Sequence, residues 1–113
     1  MCINFRLATE KDCELLFKWV NDPKVRENSF SERMIEYEEH KRWFSEKISS
    51  DTTKIFIANK NGKDIGQIRI DIYGNIGIIN YSIAREFRGK GYGVQMLMEI
   101  IPVINEQEIS ITK

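Results

Sequence analysis

The residues whose types and spacing could do chemistry lie at positions 85–94, where the chain reads R-E-F-R-G-K-G-Y-G-V. Gly89, Gly91 and Gly93 alternate with other residues. Lacking a Cβ, they let the backbone turn tightly and bring its N–H groups close to a ligand. An anion is the natural guest. Beyond Gly93 the run V-Q-M-L-M-E-I-I consists of residues compatible with a helix. The loop therefore opens onto a helix N-terminus, where unpaired N–H groups and the helix dipole favour a phosphate. Arg88 and Lys90 add positive charge at the same place. A P-loop is excluded, because no Gly-Lys pair is followed by Ser or Thr. The dinucleotide pattern G-x-G-x-x-G fails too, since Met96 stands where the third glycine counted from Gly91 would fall. A plain turn would need only one or two glycines.

An apolar, strand-like run at residues 76–84 precedes the loop, with Phe87 just ahead of Arg88. With that setting, R-G-K-G-Y-G resembles the acetyl-CoA pyrophosphate loop of the GNAT superfamily of N-acetyltransferases. The family pattern, Gln/Arg-x-x-Gly-x-Gly/Ala, is matched by Arg88, Gly91 and Gly93. The resemblance implies an enzyme that moves an acetyl group from acetyl-CoA to a primary amine. It places the co-substrate on Ser82, Ile83, Ala84, Arg88, Gly89, Lys90, Gly91, Tyr92, Gly93 and Val94, with a backbone N–H near Ile83 as oxyanion donor.

The segments W-V-N-D-P-K-V-R (residues 19–26) and Y-E-E-H-K-R-W-F (residues 37–44) resemble the first two helices of relatives that acetylate nucleotide-linked amino sugars. A ribosomal protein or another small amine is the alternative acceptor. By this resemblance Trp19, Arg26 and Trp43 line an acceptor pocket, with Arg26 facing a phosphate or carboxylate; the alternative is that both tryptophans are core and Arg26 is a surface charge. The general base stays open. No Asp or Glu lies within residues 76–84, which leaves Asp71, His40, or Tyr81 acting through water. Each has an ordinary alternative as a solvated strand residue, the polar edge of a helix face, or a core residue. Asp71 and Tyr81 also count as substrate-binding candidates.

The elements that must position these residues read off in order. Residues 3–8 alternate as a strand, and Thr9 caps a helix whose apolar stripe is Leu15, Leu16, Trp19 and Val20. Asn21-Asp22-Pro23 stops it. Residues 24–36 read as a loop or short helical turn anchored by Phe30, Met34 and Ile35, and residues 37–48 as a second helix. Strands follow at residues 54–60 and 63–73, joined by the hairpin signal Asn61-Gly62. The run at 76–84 is apolar enough for a central strand covered on both faces. A helix from Gly93 to about Ile101 has Pro102 near its end, and residues 108–112 read as a last strand. The order β-α-α-β-β-β-α-β predicts an α+β fold, a mixed and mainly antiparallel sheet flanked by helices. The resemblance covers this order. It also implies one further helix and two more strands, so that residues 1–113 would form a single, C-terminally incomplete acetyl-CoA-binding domain.

Composition narrows the partners. The 113 residues are 42% hydrophobic and 30% charged, with 17 basic against 17 acidic side chains. That balance argues against a general nucleic-acid binder, which needs a basic excess to displace counterions. No run approaches the roughly 18 apolar residues of a membrane span, and the N-terminus lacks a signal-peptide layout. Cys2 and Cys13 with one histidine make no zinc set, and two cysteines without C-x-x-C suit a reduced, cytoplasmic setting. A non-catalytic CoA-binding or self-associating remnant is the alternative function. An exposed C-terminal strand edge would favour a homodimer in either case.

Overall fold

The structure is a computed structural model and describes residues 3–27 and 33–106. The isoleucine-rich alternation folds as an antiparallel meander of β2 (Thr53–Lys60), β3 (Lys63–Tyr73) and β4 (Ile76–Ile83). β1 (Asn4–Leu7) joins β2, giving the sheet order β1-β2-β3-β4. At the first hairpin Asn61 and Gly62 both take left-handed φ, 55° and 81°, the backbone that matches a two-residue turn to twisted strands. The α+β architecture read from the sequence is the one observed, a four-stranded antiparallel sheet flanked by helices.

Strand alternation divides the core in two. Phe56, Ala58, Ile68 and Ile70 point to one face and pack with Met96, Ile100 and Ile104 of α4 (Tyr92–Glu106). Ile55 and Ile57 point to the other, against Leu16 and Trp19 of α1 (Cys13–Val20) and Phe44 of α3 (Tyr37–Ile48). Full burial of each such side chain contributes about 1.5–3 kcal/mol, so both layers are held by the same sheet. One irregularity serves the packing. Ala58 pairs with Gly66 and Asn59 with Asp64, leaving Ile65 as the extra residue of a bulge. The bulge shifts parity, and Ile65 joins the α4-side core. Gly66 is required beside it, because a Cβ there would collide with the Ser82 carbonyl oxygen.

Several local expectations change. Thr9 caps a 3-10 turn and not α1 itself, forming a capping box with Asp12. The Asp12 carboxylate accepts the Thr9 N–H at 2.8 Å and two Arg6 nitrogens at 2.7 and 2.9 Å. These bonds hold a 3-10 turn at Glu10–Asp12, and α1 starts only at Cys13. Pro23 ends α1 and also opens the short α2 (Pro23–Glu27), since its fixed φ and missing N–H suit a first helical position. Met34 is 58% exposed and anchors nothing, whereas Ile35 is tied by backbone bonds to the Asn21 side chain at 2.7 and 2.8 Å. α4 runs through Pro102 rather than ending there. Pro102 and Met98, the residue whose carbonyl loses a helical donor, are both exposed, so water can serve that oxygen. Phe30, Cys2 and the strand read at residues 108–112 lie outside the described residues.

The largest correction concerns β4. It is not covered on both faces: among the described residues it is the outer strand of the sheet, with Ile76 47% and Ile78 49% exposed. α1 and α3 pack over the Ile55 and Ile57 side of β2, leaving a cleft above β4. Among the described residues no helix is long and apolar enough to cross a membrane.

His40 gives this packing a pH signature. It is 3% exposed, stacks 5.9 Å from the Phe44 ring, and donates Nε2–H to the Cys13 carbonyl at 3.1 Å. Burial lowers its pKa from 6.5, against a smaller opposing effect of that hydrogen bond. The folded state thus binds its proton less readily than the unfolded chain, and stability falls as pH drops below about 6.5. Thermal melts from pH 7.5 to 5 should show this loss, and His40→Phe should flatten it; equal slopes for both proteins would contradict the assignment.

Candidate active site

The end of β4 sets the geometry. Ala84 donates its N–H to the Ile65 carbonyl at 2.7 Å, toward β3. Successive peptide groups of a strand point to opposite edges, so the Ile83 N–H points off the other edge of β4. The chain then makes a 3-10 turn at Arg85–Phe87, closed by Phe87 N–H to the Ala84 carbonyl at 2.9 Å.

The glycine loop follows. Gly89 and Gly91 take left-handed φ of 78° and 77°, where a side chain is strained. Gly93 has a different reason: a Cβ there would stand 3.2 Å from Cε2 of Tyr81. Among the described residues no backbone N–H from Gly89 to Val94 has a hydrogen-bond acceptor, and the first bonded one is Gln95, to the Gly91 carbonyl at 3.2 Å. An uninterrupted run of donors therefore leads into the positive end of α4. α4 itself is held from behind. Glu99 accepts the Ile3 N–H at 2.9 Å, and Lys60 bonds Gln95 at 3.0 Å while lying 4.7 Å from the Tyr92 ring centre.

Arg88 has a framing role in place of a free positive charge. Its Nε donates to the Ile83 carbonyl at 3.1 Å and its Nη1 meets Asp22 Oδ1 at 2.9 Å. Burial raises the Asp22 pKa, but the bonds from Arg88 and the Lys24 N–H outweigh that and hold the carboxyl below its ordinary value. The pair ties the α1–α2 elbow to the end of β4. Lys90, in contrast, is exposed at the loop.

A cleft of about 480 Å³ opens between these parts on the α1 and α3 side of the sheet. Its walls include Trp19 of α1, Lys24 and Arg26 of α2, and His40 and Trp43 of α3; its floor is Gln67 and Arg69 of β3 with Asn80, Tyr81, Ser82 and Ile83 of β4. Among the residues singled out in the sequence, the structure brings Trp19, Arg26, His40, Trp43, Tyr81, Ser82, Ile83 and Arg88 to this cleft. Ala84 is buried beneath it, and Gly89, Lys90, Gly91, Tyr92, Gly93 and Val94 form the separate loop. Asp71 is not on the lining: it is held by Arg69 Nε at 3.1 Å and by the Thr53 hydroxyl at 3.2 Å. Arg26 donates Nε–H to the last carbonyl of α1, that of Val20, at 2.8 Å. The Nε2 of His40 is committed to Cys13, while Tyr81 lies between the cleft and Gly93.

Arg69, Gln67, Asn80 and Lys24 were not singled out from the sequence. A signal existed for the first two. The alternation of Gln67, Arg69 and Asp71 puts three polar side chains on a sheet face that amphipathic helices must cover, and such a face is either satisfied internally or used.

Comparison with known proteins gives the same fold. The acetyltransferase (GNAT) domain family matches residues 3–110. Among solved structures, AAC(6')-Ib in complex with ribostamycin and coenzyme A superposes with a TM-score of 0.82 at 19% identity, over 98% of this chain and 72% of that one. A predicted acetyltransferase with acetyl-CoA from Clostridium acetobutylicum gives 0.68 at 23%, over 97% and 79%. An acetyltransferase of the GNAT family from Streptococcus pneumoniae gives 0.66 at 24%, over 96% and 70%. At these identities the likeness is one of fold. No curated protein matches the chain.

The Arg88 tie can be measured. Arg88→Met and Asp22→Asn should each lower unfolding free energy by about 1 kcal/mol, as expected for a partly exposed charged hydrogen bond. The double variant should cost less than the sum of the two. Additive losses in urea denaturation would show that the two side chains are not coupled.

Proposed function

The chain belongs to the acetyltransferase (GNAT) domain family, acyl-CoA-dependent N-acetyltransferases, and we propose that residues 1–113 act as one acetyl-CoA-binding domain that acetylates a primary amine on a small acceptor. The observation that carries this reading is the run of unpaired N–H groups from Gly89 to Val94 at the start of α4. Such a run suits a pyrophosphate, and the left-handed glycines leave no Cβ in its way. When bound, acetyl-CoA supplies an acetyl thioester, which an amine converts to an amide with release of the thiol.

The chain's own residues then divide the work. The N–H groups of the loop and of Lys90 through Val94 hold the pyrophosphate, with the Lys90 ammonium alongside. The Ile83 N–H, directed off the strand edge, is placed to donate to an oxyanion. The cleft beside it receives the amine, with Trp19 and Trp43 as apolar walls. Proton removal falls to Tyr81 through water. The His40 ring has its Nε2 committed, and Asp71 is bound to Arg69 away from the lining.

For the acceptor, the finer reading is a nucleotide-linked amino sugar, supported by the likeness of residues 19–26 and 37–44 to helices of enzymes with such substrates. AAC(6')-Ib is named with aminoglycosides, but a shared fold does not carry an acceptor across 19% identity. Self-association belongs to the same proposal. Val94, Met98 and Ile101 form an exposed apolar ridge on α4 at 66%, 68% and 42% exposure, with Tyr81 beside its start. A dimer is expected by light scattering, and a monomer at high concentration would contradict it.

Gly91→Val tests the co-substrate site. It forces a β-branched residue into left-handed backbone, a strain of about 1–2 kcal/mol, and puts a side chain among the donors. Coenzyme A affinity by calorimetry should fall at least tenfold; unchanged affinity would remove the loop from the proposal. Thiol release from acetyl-CoA with a panel of amines and amino-sugar nucleotides tests the reaction. Binding without release would identify the non-catalytic alternative.

A further inference from the structure

The cleft presents an unusual set of charges. Among the described residues its lining holds Lys24, Arg26, Arg69 and Arg88 and no Asp or Glu. These cations are not equivalent. Arg88 is tied to Asp22 and the Ile83 carbonyl, and Arg26 to the Val20 carbonyl. Arg69 differs. Its Nε meets Asp71 at 3.1 Å and its guanidinium carbon lies 5.4 Å from the Trp43 ring centre. Those two contacts fix the plane of the group. Its terminal nitrogens have no acceptor among the described residues.

The neighbours extend this donor surface. Asn80 is the cross-strand partner of Arg69, is exposed, and its amide has no partner among the described residues. Lys24 stands on the opposite wall with Glu27 no nearer than 4.0 Å. Next along the floor, Gln67 bonds the Ser82 hydroxyl at 3.1 Å. A half-buried guanidinium oriented by a carboxylate and an aromatic ring, with its outer edge free, is built to take an anion through two parallel N–H bonds.

We infer that Arg69 reads a phosphate group carried by the acceptor, so that the cleft selects phosphorylated or nucleotide-linked amines and disfavours polycationic ones. The inference rests on the cleft being the acceptor site. Phosphate is favoured over a single carboxylate because Asn80 beside Arg69 and Lys24 across the cleft supply further donors, which suits three terminal oxygens and a double charge. Asp71 acts through Arg69 as a positioning residue. A polycation would meet the outer edge of the Arg69 guanidinium and the Lys24 ammonium, while Asp71, already bonded to Arg69, lies off the lining.

Calorimetry in the presence of coenzyme A tests this with glucosamine, glucosamine 6-phosphate and kanamycin, on wild type, Arg69→Gln and Arg69→Lys. Wild type should bind glucosamine 6-phosphate at least roughly tenfold more tightly than glucosamine, the yield of a charge-assisted hydrogen bond or more. Arg69→Gln should lose that preference while its coenzyme A affinity holds. Arg69→Lys, which keeps the charge without the fork, should retain only part of it. Should Arg69→Gln fail to fold, the reduced preference of Arg69→Lys carries the test. Equal binding of the two sugars by wild type, a preference unchanged in the variants, or kanamycin as the tightest ligand would overturn the inference. Phosphate preference without thiol release would leave it standing while the acetyl-transfer reading fails. Thiol release at equal kcat/KM with both sugars would do the reverse.

Discussion

The hydrogen bond from Ala84 N–H to the Ile65 carbonyl fixes the direction of the whole site. It commits one edge of β4 to β3 and thereby turns the Ile83 N–H to the other. The bulge at Ile65 and the missing side chain of Gly66 make that bond compatible with packing, since Gly66 lies against the Ser82 carbonyl where a Cβ would not fit. Arg88 then fastens the Ile83 carbonyl from the same edge and ties it to Asp22. A strand end whose N–H has no partner among the described residues and whose carbonyl is held suits an oxyanion donor, which needs a fixed direction.

Two layers of packing place the two halves of the chemistry on opposite sides of one sheet. α4, held by Met96, Ile100 and Ile104, puts its N-terminal donors beside the end of β4. α1 and α3, held by Leu16, Trp19 and Phe44, stop short of β4 and so leave the cleft. Tyr81 is the residue that meets both parts, contributing to the cleft lining from β4 while its ring lies against Gly93 on the α4 face of the sheet. Because the sheet is shared, the distance between loop and cleft depends on β-ladder register rather than on any flexible connection.

Much of this was legible in the sequence, for physical reasons. Strict alternation in β3, the Asn61-Gly62 turn and the amphipathic periods of the helices are local signals, and they mark the meander and its flanking helices directly. The glycine loop was legible because Gly89 and Gly91 answer a backbone requirement that other residues meet only with strain. Long-range effects were not legible. The apolar run of β4 suggested cover on both faces, yet whether helices reach it depends on where α1 and α3 dock. The ion pair of Arg88 with Asp22 joins residues far apart in the chain, and no local signal marks it. The isolation of Asp71 from the cleft likewise depends on a neighbour, Arg69, that alternation placed on the same face.

The central claim is that the N–H groups from Gly89 to Val94 and the N–H of Ile83 form one binding line for the co-substrate. Backbone amide chemical shifts followed by NMR as coenzyme A and then acetyl-CoA are added test it most directly. Coenzyme A should move the amides of Gly89, Lys90, Gly91, Tyr92, Gly93 and Val94, and acetyl-CoA should add a shift at Ile83 that coenzyme A alone does not give. Shifts confined to other residues, or an Ile83 amide indifferent to the acetyl group, would contradict it.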